Sequence, residues 1–135
     1  MSDDPTAIEI AESVRSGQRS AREVLDTYLA RIDGGNEALN AFVHLDPELA
    51  HAAAAKVDDQ VAAGQDPGPF AGVPFGVKDL EDCEGMPTSH GSLLFMGRGP
   101  VAADSIHVAR IRAAGGVPVG KTAAPEFGTL NFTST

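Results

Sequence analysis

The sequence predicts an α/β fold. Three observations predict it. Capping patterns open three helices within residues 1–64, the first two followed by apolar residues at helical spacing and the third by an Ala-rich run. From residue 65 the texture changes to Pro/Gly-rich loop broken by short apolar runs. The order there is strand, long loop, helix, strand, which suits helices packed on a sheet.

Thr6 and Glu9 fit a capping box. Ile8, Ala11 and Val14 then share a face, and Gly17 stops the helix. Ser20 and Glu23 fit a second box. Ala21, Val24, Leu25, Tyr28, Leu29 and Ile32 follow at helical spacing, and Gly34 and Gly35 are predicted to end the run. Residues 41–45 (AFVHL) read as a short strand. Asp46 can cap a third, Ala-rich helix with Pro47 at its first position, and Gly64 closes it. Residues 73–80 (VPFGVKDL) read as a strand, with Pro74 near its start where a missing N–H is tolerated. EDCEGMPTSHGS, residues 81–92, is loop. Asp104 is predicted to cap a helix through Ala114, with Val108 and Ile111 on its inner side. Gly115 and Gly116 turn that helix into a short strand, residues 117–120.

Composition narrows the partners. Hydrophobic residues make up 42% of the 135, enough for a core. The net charge of −9 argues against nucleic acid or anionic lipid, which need clustered Lys or Arg. Cys83 is the single cysteine, so no intrachain disulfide forms and a reducing cytoplasm is expected. The N-terminus, MSDDPTAIEI, lacks the basic and apolar blocks of a signal peptide. No apolar run approaches the roughly 20 residues of a membrane-spanning helix. His44, His51, His90 and His107 lack ligand spacing, so no metal is expected.

GGVPVGKT, residues 115–122, satisfies the G-x-x-x-x-G-K-[ST] pattern of phosphate-cradling loops. The context opposes that reading. A phosphate loop follows a strand and opens a helix, whereas here a predicted helix precedes Gly115 and VPV reads as strand. Pro118 also removes a backbone N–H from the loop that should offer N–H groups to phosphate. Nucleotide binding is therefore not expected.

Other stretches carry a resemblance. GVPFGVKD, residues 72–79, resembles the lysine segment of the amidase signature family. GMPTSHGS, residues 85–92, resembles the family's G-x-P-T-[TS]-x-G-S loop. Residues 100–104 and 108–115 (PVAAD, VARIRAAG) resemble its P-x-x-x-D helix with V-x-R-[IL]-[RK]-x-A-G. VGKT at 119–122 and PEFG at 125–128 resemble its G-K-T-N-x-x-E-F-G, and NAFV at 40–43 resembles its approach to the lysine segment. The segments fall in the family's order and cover essentially the whole chain. Two positions depart: Ala123 stands where Asn is usual, and His90 where a small residue or Tyr is usual.

The resemblance implies the N-terminal part of a large mixed β-sheet flanked by helices, incomplete in this chain. Residues 1–64 would supply N-terminal helices with one short strand. Residues 65–135 would supply the first α/β part of the core, lysine strand included, within a single truncated domain. The implied apparatus is Ser–cis-Ser–Lys, with Lys78 as the matching lysine. Both serines belong to a G-G-S-S-G-G segment and a following serine, expected beyond this chain. Neither Ser89 nor Ser134 stands in that context.

A serine hydroxyl is a poor nucleophile until a base takes its proton. A lysine can be that base only when neutral, which burial favours because desolvation penalises the ammonium. Phe75, Val77 and Leu80 make the segment around Lys78 apolar. Asp79 would oppose neutrality, but neighbours on a strand face opposite sides. Without its serines this chain is expected to be inactive, and water is expected to reach Lys78. By resemblance Lys121 is structural rather than the base, and the turn at Gly128 and Thr129 lies near the acyl pocket and contacts substrate. A thiol role for Cys83 with His90 finds no supporting pattern.

The expected function is hydrolysis of a carboxamide C–N bond of a small-molecule amide, with no cofactor; the full-length protein could form a homodimer. A family branch that forms Gln or Asn on tRNA is the alternative; it typically reads M-D-E-F where this chain reads APEF, residues 124–127. A non-catalytic truncated or binding chain is a second alternative.

Overall fold

The computed structural model describes residues 3–130. Helix α1 is Ala7–Arg15, and its capping box is complete: Glu9 N donates to Thr6 Oγ1 at 3.1 Å and Thr6 N to Glu9 Oε2 at 3.4 Å. Its buried face is Ile10, Ala11 and Val14. Ile8, expected on that face, is 70% exposed, because the stripe that meets the core is rotated toward Ile10.

Helix α2 is Ala21–Leu39. Ser20 Oγ accepts from Glu23 N at 3.0 Å, which is one half of the expected box; the return bond seen in α1 has no counterpart here among the described residues. Asp58 of the third helix adds a second cap, accepting from Ala21 N at 2.6 Å and Arg22 N at 3.3 Å. The helix does not stop at Gly34 and Gly35. Two glycines disfavour a helix by about 1 kcal/mol each, but the end is fastened beyond them. Asn36 Nδ2 donates to Phe42 O, Phe42 N donates to Asn36 Oδ1, and Asn40 takes the left-handed conformation that ends the helix.

Strand β1, Phe42–Leu45, leads into helix α3, Pro47–Ala62, capped by Asp46 with Pro47 in its first turn. Ala50, Ala54 and Val57 form the buried stripe of α3. Strand β2 is Pro74–Lys78, helix α4 is Ile106–Ala113, and strand β3 is Val117–Thr122. Asp104 does not cap α4; Ser105 holds that position. Asp104 is committed elsewhere, its Oδ1 accepting from Glu84 N at 2.7 Å and from Arg112 Nη1 at 3.1 Å.

The sheet order is β1-β3-β2. β1 runs antiparallel and β2 parallel to β3, so this is a mixed sheet with β3 between its neighbours. One apolar cluster joins α1, α2 and α3 to Val117 and Val119 of β3. A second gathers Val77, Cys83, Met86 and Val108. This mixed α/β arrangement is the expected part of the larger fold, and it fixes β2 and β3 side by side under the 81–92 loop.

Candidate active site

Lys78 is the last residue of β2, paired in register with Thr122 of β3. Alternation along the strand decides its surroundings: Val77 and Asp79 are buried, and Lys78 between them is exposed. Water therefore reaches the amine, as expected for this chain. The apolar neighbours do not wall it in. Phe75 and Val77 pack instead into the cluster with Cys83, Met86 and Val108.

Asp79 turns away from Lys78. Its Oδ1 accepts from Ser89 N at 3.0 Å, its Oδ2 accepts from Ser89 Oγ, and Lys121 Nζ lies 3.5 Å from Oδ1. Lys121 is wholly buried at 0% exposure and donates to Thr88 Oγ1 at 2.8 Å and to Pro87 O at 3.2 Å. Thr88 Oγ1 donates onward to Asp82 Oδ1 at 2.8 Å. Burial pushes the Lys121 ammonium below the ordinary lysine range, and the nearby Asp79 carboxylate partly opposes it. The residues P-T-S of the 85–92 loop are thus stitched to the ends of β2 and β3.

The loop then reaches the last turn. Phe127 N donates to His90 O at 2.8 Å, and the two rings stack with centroids 5.8 Å apart. Phe95 meets both rings edge-on. His90 and Phe127 have φ of 55° and 50°, the left-handed region that non-glycine residues seldom enter. Gly91 sits between them and Ala124, where an added Cβ would strike Ala124 O.

Gly128 and Thr129, the expected substrate turn, are exposed. A Cβ on Gly128 would lie 2.7 Å from Leu80 Cδ1, so the turn presses against the segment two residues beyond Lys78. Thr129 Oγ1 donates to Glu126 O at 3.0 Å and is committed locally. Ser134 lies outside the described residues.

The remaining titratable candidates have other uses. Cys83 is buried, and burial pushes its thiol up, away from a reactive thiolate. His51 bridges Pro47 O and Asp26 Oδ1, His107 lies 3.8 Å from Glu81, and no group of three or more His, Cys, Asp or Glu among the described residues could hold a metal. No described helix is long and apolar enough to cross a membrane. The Asp79–Lys121 network escaped the sequence reading. Its available signal was a lysine in a strand flanked by VPVG, which a buried strand tolerates only with a partner.

Comparison with known proteins agrees with this architecture. The profile of the Amidase family matches residues 23–135. The chain is 45% identical over 122 residues to a glutamyl-tRNA(Gln) amidotransferase subunit of Salinispora arenicola, covering 90% of this chain and 25% of that protein. It is 38% identical to an acylamidase of Rhodococcus erythropolis, covering 91% of this chain and 26% of that protein. It superposes on a bacterial aryl acylamidase of the amidase signature enzymes with a TM-score of 0.83 at 30% identity, covering 91% of this chain and 26% of that one. The chain spans about a quarter of the length of these relatives. Motifs, sheet and profile agree, and the chain belongs to the amidase signature family, of which it is an N-terminal portion.

Proposed function

We propose that the chain is the lysine-bearing part of a hydrolase that cleaves a carboxamide C–N bond, with Lys78 as the base. The observation that carries this is the placement of Lys78. Its side chain is open at the end of β2, and the adjacent carboxylate is bound to Ser89 and Lys121 instead. The two serines that the Ser–cis-Ser–Lys resemblance implies would lie outside these 135 residues.

In the complete site a bridging serine in a cis peptide passes a proton to Lys78. The second serine attacks the amide carbonyl, and backbone N–H groups hold the oxyanion. Lys78 returns the proton through the bridging serine to the departing nitrogen, which leaves as ammonia or an amine. Water that gives its proton to the same relay then hydrolyses the acyl-enzyme. Gly128 and Thr129, against Leu80, border the acyl side. The single buried Cys83 suits a cytoplasmic protein.

A second reading is favoured by the 45% identity to a tRNA-dependent amidotransferase component. We prefer an amidase acting on simple amides because APEF replaces the M-D-E-F of that branch and the net charge of −9 gives no help with tRNA. The test is release of ammonia or amine by the full-length protein, with aliphatic and aromatic amides and glutamine offered separately. Activity that falls about 10²–10⁴-fold in Lys78→Ala supports the base. Undiminished turnover in that variant overturns it, and turnover confined to glutamine favours the second reading. The 135-residue chain alone should show no turnover above Lys78→Ala.

A further inference from the structure

Among the described residues, Asp79 and Lys121 are the buried charged side chains, at 3% and 0% exposure. Charges taken out of water persist only when paired and hydrogen-bonded. Here the bonds are supplied. Ser89 gives Asp79 two donors, and Lys121 gives its own protons to Thr88 and Pro87. Asp82, bound to Thr88, and Cys83 also face the ammonium. A surface lysine or an apolar residue at 121 would leave the Asp79 carboxylate without a cation on its own side of the sheet. The amine adjacent in sequence is that of Lys78, one residue away.

We propose that Lys121 is a positioning residue for Lys78, acting through Asp79. The buried ammonium holds the carboxylate and the Pro87–Ser89 turn on one side of the sheet. The Lys78 amine emerges on the other side, apart from that carboxylate. Ser89 completes the device by filling the acceptor sites of Asp79 that Lys121 does not. This inference rests on the reading of Lys78 as the base.

The test is amine acetylation of the 135-residue chain, mapped by mass spectrometry, with exposed Lys56 as internal reference. In the unaltered chain Lys78 and Lys56 are acetylated and Lys121 is protected. In Lys121→Gln the rate at Lys78 should fall about two- to fivefold relative to Lys56, the range an exposed ion pair supports. In Asp79→Asn/Lys121→Gln it should return to the original ratio. Ser89→Ala keeps the pair, and should lower the ratio by a smaller factor; it decides the matter if Lys121→Gln does not fold. A pair with a structural role alone would change stability and leave the ratio where it was, and that result overturns the proposal. A double variant as slow as the single one overturns it too. The ratio involves no turnover, so it stands apart from the activity of Lys78→Ala, which tests the base itself.

Discussion

Lys121 Nζ lies 3.5 Å from Asp79 Oδ1, and both side chains are shut off from solvent. The two residues come from the ends of parallel neighbouring strands, so the pair ties β2 to β3 where the candidate base emerges. Its hydrogen bonds also fasten the 85–92 loop, which otherwise has little regular structure of its own.

Breaking the pair should be far worse than replacing it. Lys121→Met leaves a buried carboxylate without its cation and should lower stability by about 3–5 kcal/mol. Asp79→Asn/Lys121→Met removes both charges and should lose clearly less than the single variant. Urea denaturation of the two variants and the parent measures this. Equal losses would mean that packing around residue 121, rather than charge, sets the stability.

Lys121 also sets an alkaline pH dependence. Burial lowers its folded pKa, so the unfolded chain binds the proton more tightly. Between the depressed folded value and the unfolded value of about 10.4, the unfolded state carries more protons, and stability rises with pH. Below that window the penalty on the folded state is complete, and above it the penalty is gone. Denaturant midpoints across the window should climb in the parent more than in Asp79→Asn/Lys121→Met, where no ammonium is left at 121. A parallel course in both would show that Lys121 does not carry the effect.

Much of this was legible in the sequence, for a physical reason. The caps at Thr6 and Asp46 use partners three residues away. That Lys78 and Asp79 start out toward opposite faces follows from strand alternation, but the Ser89 and Lys121 contacts that fasten the carboxylate there do not. What was missed depends on distant partners. Gly34 and Gly35 looked like a stop, but Asn36 is fastened to Phe42 and the helix runs on. Asp104 looked like a cap, but Glu84 N and Arg112 claim it. Lys121 finds Thr88 across 33 residues of chain, and no local pattern reports such a meeting. The stacking of His90 on Phe127 is of the same kind.

His51 should add a small opposite dependence on the acid side. Its ring meets two acceptors, Pro47 O at 2.7 Å and Asp26 Oδ1 at 2.9 Å, and this geometry suits the doubly protonated ring. The hydrogen bond to Asp26, then that to Pro47, raises its pKa. The folded value lies above the unfolded one of about 6.5, so the contribution is complete below 6.5 and is lost as pH rises through the folded value. The pair is well exposed, and solvent screening limits it to a few tenths of a kcal/mol. Two-dimensional NMR titration of the ring protons should give a pKa that falls in Asp26→Asn. An unchanged value would remove Asp26 from the account.

Residues 115–122 should bind neither Mg-ATP nor Mg-GTP, because every group the pattern would need is already used. Helix α4 precedes Gly115 and strand β3 follows Gly116, the reverse of a phosphate loop. Gly115, at a φ of 98°, lets the chain pass the backbone of residues 67–71: a Cβ there would come 2.7 Å from Pro67 O and 2.9 Å from Ala71 Cα. Gly120 gives β1 room, since a Cβ there would strike His44 O. Pro118 has no N–H to offer, and Lys121 spends its ammonium on Thr88, Pro87 and Asp79 in the interior. Thr122 is paired within the sheet instead of opening a helix. A ligand at 100 times its Kd would stabilise the fold by about 2.7 kcal/mol, which a thermal melt detects readily. Millimolar Mg-ATP or Mg-GTP should leave the melting temperature and the calorimetric baseline unmoved. Saturable heat that persists in Ser89→Ala and vanishes in Lys121→Gln would show that the buried lysine can be reached by phosphate after all.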